Sequence, residues 1–348
     1  MNVLLTSVGR RSYLVRYFKE AVGQSGQVIC ANSLESAPAR QEADRFHVVS
    51  ESCAPGYVDE IKAICAAHDI RALFSCHDLD TYVLSRRQAE LAALPLTAFL
   101  PDPEWNETAL DKLATYRKLT RHGIPCPRTT DDLAEAREWM QAAQSRGSAC
   151  PLVIKARFGF GSLGLKHCTR LEDLPGSYAQ ALAEVQSSAF FGTIATLKSG
   201  ESQLVLQERV AGREVCLGVV NDLAGRHLST LATEIHAMRA GESDAATTLP
   251  VEGPLAAIGR QVSALTRHRG IWGVDGILRD GVFHLLDLNP RFTGDYPFSH
   301  LAGAHIPRAL LALVAGRAPG PQDLVCRTQV SGYKELVPRL SSPPRPGL

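Results

Sequence analysis

The stretch HLLDLNPRFTG, residues 284–294, sets an acid, an amide and a guanidinium at alternate positions, Asp287, Asn289 and Arg291. On a strand, side chains two apart leave one face roughly 7 Å from each other. Carboxylate and amide oxygens are hard donors of the kind magnesium takes, and a neighbouring guanidinium suits phosphate oxygens, so the row reads as a metal and phosphate face. Leu285, Leu286 and Leu288 would supply the core side. Read alone, the segment is equally an ordinary strand with polar residues on its solvated face. Upstream, GVDGILRDGVFHLLDLN reads as two strands joined by a tight Arg-Asp-Gly turn, a hairpin signal. Counting outward from that turn sets Asp275 opposite Asp287 or Asn289, either as a second carboxylate for one or two ions bridging phosphates or as a strand cap.

Two further stretches carry chemistry. In PLVIKARFGFGSLG, residues 151–164, an apolar strand ends in Lys155 and runs into a loop containing Gly159, Gly161, Ser162 and Gly164. Glycines let a backbone close over an anion and aim amide hydrogens at it. The lysine precedes the glycines and no Gly-Lys-Ser/Thr follows, so this is not a P-loop. In LVLQERVAGREVCLGVV, residues 204–220, a strand reaches Glu208, crosses Arg209 and Val210, turns, and re-enters a strand near Glu214. Such a hinge exposes backbone groups able to read a purine edge, with a carboxylate beyond them for ribose hydroxyls. Each stretch alone also fits a bland reading: a solvated strand-end lysine, and hairpin-edge glutamates.

These residues need a scaffold. The first hundred residues alternate apolar runs (NVLLT, QVICA, FHVVS, ALFSC) with helical patterns such as SYLVRYFKEAV, which predicts a doubly wound parallel α/β sheet. TSVGRR after the first strand has one glycine where a dinucleotide fingerprint needs three, so no dinucleotide site is expected. The prolines of LPDPEW mark a joint, and ETALDKLATYRKLTRHG beyond it predicts one long helix. From residue 151 onward strands dominate, which predicts mixed or antiparallel sheets. SSPPRPGL at the end is too rich in proline and serine to fold alone.

The 348 residues suffice for two or three packed units, with 45% apolar and 21% charged residues. A net charge of +1 argues against nucleic acid or a membrane as main partner. Nine cysteines without any C-x-x-C pair do not form a disulfide framework, and the N-terminus lacks a secretory pattern, so a cytoplasmic setting is expected.

The order of these pieces resembles the ATP-grasp superfamily, within it the carbamoyl phosphate synthetase large-subunit-like branch of carboxylate–amine ligases. The resemblance covers nearly the whole chain. It implies a Rossmann-like pre-ATP-grasp α/β domain over 1–103 and an α+β ATP-grasp fold of two subdomains over 104–318. The lid subdomain would lie near 125–207, and a C-terminal segment over 319–348 would end in disorder. It implies ATP with magnesium or manganese as cofactors. Lys112, followed by GIPCP, matches the first nucleotide lysine and Lys155 the second, with Gly159 to Gly164 as the mobile cover. Glu208, Arg209 and Val210 match the adenine hinge and Glu214 the ribose acceptor. Asp275, Asp287 and Asn289 match the metal ligands, and Arg291 the arginine at the γ-phosphate or acyl phosphate. HAMRAGESDAATTLP, residues 236–250, resembles a segment beside the transferred phosphate, which makes Arg239 and Gly241 to Ser243 candidates.

The implied reaction is amide formation through an acyl phosphate, from a small carboxylate and an amine, amino acids among the options, with a homodimer as a common assembly. The alternatives are a carboxylase, a kinase-like enzyme, a thiol ligase, or a non-catalytic nucleotide-binding scaffold. Asp287 stands where glutamate is common, and the short Asp275–Asp287 hairpin with a single ATP-grasp copy argues against carbamoyl phosphate synthesis. Arg10, Arg11, Asp78 and Asp80 are polar candidates of unassigned role for the substrate pocket.

Overall fold

The computed structural model describes residues 1–159, 161–188, 191–193, 198 and 200–338. The expected disordered tail over 339–348 lies outside the described residues.

Five short runs form an all-parallel sheet: β1 (Asn2–Thr6), β2 (Val28–Asn32), β3 (Arg45–Val48), β4 (Ile70–Ser75) and β5 (Thr97–Phe99), in the order β3-β2-β1-β4-β5. The central runs are continuously apolar because helices cover both faces. Strand order reverses between β1 and β4. Their carboxyl ends therefore open a crevice at the switch point, and TSVGRR and CHDLD emerge there.

The expected long helix is two helices, Pro103–Leu110 and Lys112–Arg121. Asp111 breaks the run with extended backbone, and its carboxylate accepts from Leu113 N and Ala114 N as the cap of the second helix. A four-stranded antiparallel sheet follows: β6 (Thr129–Thr130), β7 (Leu152–Ala156), β8 (Lys166–Cys168) and β9 (Leu204–Glu208), ordered β6-β9-β7-β8. The helix Leu174–Ser187 packs against its β7–β8 side.

The third sheet is antiparallel throughout, ordered β14-β13-β10-β11-β12-β15: β10 (Arg213–Asn221), β11 (His227–Arg239), β12 (Glu242–Thr248), β13 (Gly270–Arg279), β14 (Val282–Asn289) and β15 (Ser331–Tyr333). Its inner face, with Leu217, Trp272, Val274 and Phe283, packs on the helix Gly253–Thr266. The fold is therefore a parallel α/β domain followed by antiparallel α+β units, as expected. Among the described residues no helix is long and apolar enough to cross a membrane, and all nine cysteines are free.

The β13–β14 hairpin closes through Asp280 and Gly281, both in left-handed backbone (φ 50° and 76°), the geometry of a two-residue turn whose twist matches the strands. Asp275 pairs with Asp287 in register, but Gly276 pairs with Leu285, so Leu286 is one residue extra. This bulge shifts the alternation. Leu285 and Leu288, three apart, both enter the core, while Leu286 lines the cleft on the other face with Asp287 and Asn289. Leu286 thus does not lie on the core side, as simple alternation expects.

Leu288→Ala should cost roughly 2 to 5 kcal/mol of stability through a core cavity. Leu286→Ala, at a partly buried position that lines the cavity, should cost less than about 1 kcal/mol when both variants are unfolded in urea. Equal costs at the two positions would refute the bulge.

Candidate active site

A cavity of about 680 Å³ opens where the three sheets meet. β7 delivers Lys155 to it, buried, with Nζ 3.2 Å from Asp287 Oδ2. Lys112, the first residue of its helix, approaches the same carboxylate from the opposite side at 3.9 Å and donates to the Gly159 carbonyl at 2.7 Å. Burial pushes the Lys112 pKa down, the Asp287 charge pulls it up, and the nearby Lys155 pushes it down again, leaving it below the usual lysine value. Two ammonium groups facing one carboxylate leave positive charge for an anionic ligand to neutralise.

The glycine loop is held at both ends. Arg157, at its start, forks onto the Asp111 carboxylate at 2.9 and 2.7 Å and reaches Asp131 at 3.2 Å. That fork ties the loop to the cap that positions Lys112, and neither residue stands out in the sequence as chemistry. Farther on, Gly241 in the β11–β12 turn approaches Gly161 so closely that a Cβ would lie 2.2 Å from Gly161 Cα. The turn and the loop therefore touch above the cavity. Gly159, Gly161 and Ser162 line it; Gly164 instead packs against Ala181 and Val185 of the neighbouring helix and does not.

On the floor, Asp275 faces Asp287 across the β13–β14 ladder and accepts from Asn289 Nδ2 at 2.8 Å. Asp295 joins them, held by the Cys216 thiol at 3.1 Å and the Thr233 hydroxyl at 2.8 Å. Burial raises the Asp275 pKa, the Cys216 hydrogen bond offsets part of that, and the charges of Asp287 and Asp295 raise it further, to about 7. A carboxylate so reluctant to ionise, beside a second carboxylate and an amide, is the oxygen donor set that a magnesium ion relieves.

The hinge after β9 brings Arg209, Val210 and Glu214 to the cavity wall, and Gly212 lies against Ile277 and Leu278 of β13. Glu208 N and Arg209 N are already bonded to the Arg128 and Pro151 carbonyls, both at 2.8 Å, and the Glu208 side chain pairs with Arg128 at 2.9 Å, so neither amide is free for a ligand. From the switch point of the parallel sheet come Asp78 and Arg11. Asp78 holds the Arg291 guanidinium by two hydrogen bonds of 2.8 and 2.7 Å, and Arg11 pairs with Glu242 at 2.8 Å. Arg291 lines the cavity, but it follows a tight turn after Asn289 rather than continuing the strand.

Three candidates stand elsewhere. Arg239 is exposed, bonded to Asp244 at 3.0 Å, and outside the cavity, at the end of a β hairpin whose register shifts twice between Ile235 and Met238. Gly241, Glu242 and Ser243 of the same segment do line it. Asp80 is fully buried among Thr6, Tyr57 and Ser75, and Arg10 is exposed.

A profile of the ATP-grasp domain matches residues 109–295, more than half of the chain. The chain belongs to the ATP-grasp family. A profile of the PylC-like N-terminal domain matches residues 3–98. Among its structural neighbours, the biotin carboxylase domain of the Hydrogenobacter thermophilus 2-oxoglutarate carboxylase was solved with MgADP. Biotin carboxylase from Campylobacter jejuni superposes with a TM-score of 0.67 at 16% identity, over 93% of this chain and 73% of that one. N5-carboxyaminoimidazole synthetase from Staphylococcus aureus, complexed with ADP, gives 0.68 at 13% identity over 92% and 78%. These likenesses carry the fold alone. In sequence, the acetyl-CoA carboxylase of Dictyostelium discoideum is 29% identical over 203 residues, 57% of this chain and 8% of that protein. This ATP-grasp chain thus spans less than a tenth of that relative's length.

The raised pKa of Asp275 sets a pH dependence for the metal-free protein. Below about pH 4 the folded and unfolded chains both keep the proton. Between there and pH 7 only the folded state keeps it, so stability falls as pH rises, and above 7 the full cost of an ionised Asp275 applies. Asp275→Asn should therefore stabilise the metal-free protein by about 1 to 4 kcal/mol at pH 8 and change little at pH 4. Melting curves with and without a chelator check this, and saturating magnesium should narrow the difference at pH 8.

Proposed function

We propose that this enzyme activates a small carboxylate by phosphorylation from ATP and then passes the acyl group to an amine, forming a C–N bond and releasing ADP and phosphate. The observation that carries the reading is the convergence of Lys112 and Lys155 on Asp287, opposite Asp275 and under a glycine loop. In this reading phosphate oxygens replace the Asp287 carboxylate as partners of the two lysines. Magnesium held by Asp275, Asp287 and Asn289 would screen the charge of the polyphosphate. Asp287 then exchanges its lysines for the ion. The loop of Gly159, Gly161 and Ser162 covers the phosphates with backbone N–H groups and excludes water, which would otherwise hydrolyse the activated acid. With Glu208 N and Arg209 N already bonded, the hinge reads the adenine edge through its carbonyls and Val210 N, and Glu214 accepts from the ribose. Arg291, oriented by Asp78, lies next to the metal face and stabilises charge developing on the transferred group. We further assign residues 1–103 to the N-terminal domain and 104–318 to the ATP-grasp domain, and place the enzyme in the cytoplasm as a homodimer.

The likeness to biotin carboxylase and the acetyl-CoA carboxylase match favour a second reading, in which the acid is bicarbonate and the acceptor nitrogen is carboxylated. The same charges serve both. Labelled bicarbonate retained in an acid-stable or trapped product would select it, and an amide formed without bicarbonate would select the first.

Lys155→Met should abolish nucleotide-dependent turnover and weaken ATP binding by tenfold or more, roughly the loss of one charge-assisted hydrogen bond, while leaving the melting temperature near that of the wild type. Calorimetry showing unchanged ATP affinity would overturn the assignment. The nucleotide product should be ADP, and AMP with pyrophosphate in the chromatogram would exclude the acyl-phosphate route. Asp287→Asn should lower turnover by orders of magnitude, because catalysis here rests on charge neutralisation rather than on a covalent protein group.

A further inference from the structure

Three side chains outside the cavity meet where the first helix of the parallel domain packs on the helices after the Asn-Pro-Arg segment. Glu20 comes from the helix Ser12–Val22, His300 from Tyr296–Leu301, and His305 directly precedes Ile306–Val314. Each offers one donor atom, and the three lie within 4.8 Å of one another.

The hydrogen bonds around them allow two proton arrangements. The Tyr296 hydroxyl has one proton and two lone pairs. It accepts from Ile306 N at 3.0 Å and lies 3.0 Å from both the Ala304 carbonyl and His300 Nδ1, so its proton goes to one of those two. If it goes to His300, the ring donates from Nε2 to the Glu20 carboxylate oxygen 3.2 Å away. If it goes to Ala304, His300 donates from Nδ1, and the Nε2 lone pair faces Glu20, an arrangement that a metal ion between the two completes. Beside them, His305 Nδ1 is buried with no hydrogen-bond partner among the described residues. Tyr17 stacks flat on the His300 ring, with centroids 3.5 Å apart, and holds it in this orientation.

We propose that Glu20, His300 and His305 form a binding site for a divalent metal ion of the zinc class, which clips the first helix of the parallel domain to the helices that follow the Asn-Pro-Arg segment. Two imidazoles and a carboxylate are borderline donors that suit zinc, and Tyr296 orients His300 as an outer partner of a metal-bound imidazole does. Donors around a tetrahedral ion stand roughly 3.3 Å apart at ordinary zinc bond lengths. The Glu20–His300 pair already has that spacing, and a modest rotation closes the third. Glu20 is about half exposed, which leaves the fourth position to water. Tyr296 follows directly on Asp295, so the ion would also brace the chain leaving the cavity floor.

The test titrates chelator-stripped full-length protein with zinc against a chromophoric chelator, with excess magnesium present to occupy the nucleotide site, and repeats it with cobalt for the visible spectrum of a tetrahedral ion. One equivalent should bind, in wild type and Asp287→Asn alike. Glu20→Gln, at an exposed position that folding tolerates, should weaken it by at least about tenfold, and His305→Ala should abolish it. Zinc should raise the melting temperature of the wild type and not that of His305→Ala. Absence of stoichiometric binding, loss of binding in Asp287→Asn, or binding unaltered in Glu20→Gln would each overturn the site; in the first case Glu20 and His300 share a proton, and in the others the ion sits on the cavity acids or on cysteine thiols.

Discussion

The molecule depends on one buried ion pair between its two halves, Asp78 with Arg291. Burial alone would drive Asp78 toward its neutral form. The Arg291 charge and its two hydrogen bonds overcome that and hold the carboxyl down at about 2. The pair is thus intact across the physiological range and its stabilisation is lost only as pH falls from about 4 toward 2. Removing one member would leave the other buried and uncompensated, which typically costs 3 to 5 kcal/mol, far more than the pair is worth against an apolar replacement. Its consequence is geometric. Asp78 stands at the switch point of the parallel sheet, and Arg291 begins the exit from β14. The pair therefore sets the N-terminal domain against the acidic floor of the cavity and holds the guanidinium in one orientation.

The same logic recurs around the cavity, where the protein's own charges stand in for a ligand. Asp287 takes two lysines, Asp111 takes Arg157, and Glu242 takes both Arg11 and Lys334. These pairs differ in what a nucleotide would do to them. Arg157 and Asp111 are nearly sealed from solvent and join a helix cap to a loop, so they are scaffolding. The Asp287 carboxylate is more exposed than either lysine that faces it, and it borders open space. A polyphosphate and a cation can exchange with that pair without breaking the fold. Glu242 and Arg11 are intermediate: they link the β11–β12 hairpin to the parallel domain, beside the contact of Gly241 with Gly161. The contact that holds the loop and the contact that joins the domains thus adjoin.

Much of this was legible in the sequence, and the failures have physical causes. The parallel sheet was visible because strands covered on both faces are continuous apolar runs, and the β13–β14 hairpin because its turn needs two left-handed residues that Asp280 and Gly281 supply. Lys155, Asp275, Asp287 and Asn289 were visible because charged or amide groups in apolar runs are costly unless used. The bulge at Leu286 was not visible, since it is a property of the ladder and not of one strand. Arg239 was misplaced because a polar hairpin and a polar loop have the same composition, and the register shifts of β11 against β12 are written in neither segment. Asp111 could have been found: an aspartate before a helical pattern is a capping signal. Its pairing with Arg157 could not, because the two lie 46 residues apart.

The acids on the cavity floor show why the face cannot be explained by stability. Asp275, Asp287 and Asp295 stand close enough for each to raise the cost of ionising Asp275. A fold selected for stability alone would replace one of them with an amide or an apolar residue. The surrounding structure instead spends hydrogen bonds on keeping them: the Cys216 thiol and Thr233 hydroxyl on Asp295, and the Asn289 amide on Asp275. The bulge is part of the same arrangement. Without it, the alternation that buries Phe283 and Leu285 would bury Asp287 and Asn289 too, and turn Leu288 out of the core. One extra residue lets a single strand pack its first half into the core with one parity and present its last residues to the cavity with the other. The strand's local irregularity is therefore the feature that makes an acidic cavity floor compatible with a packed sheet.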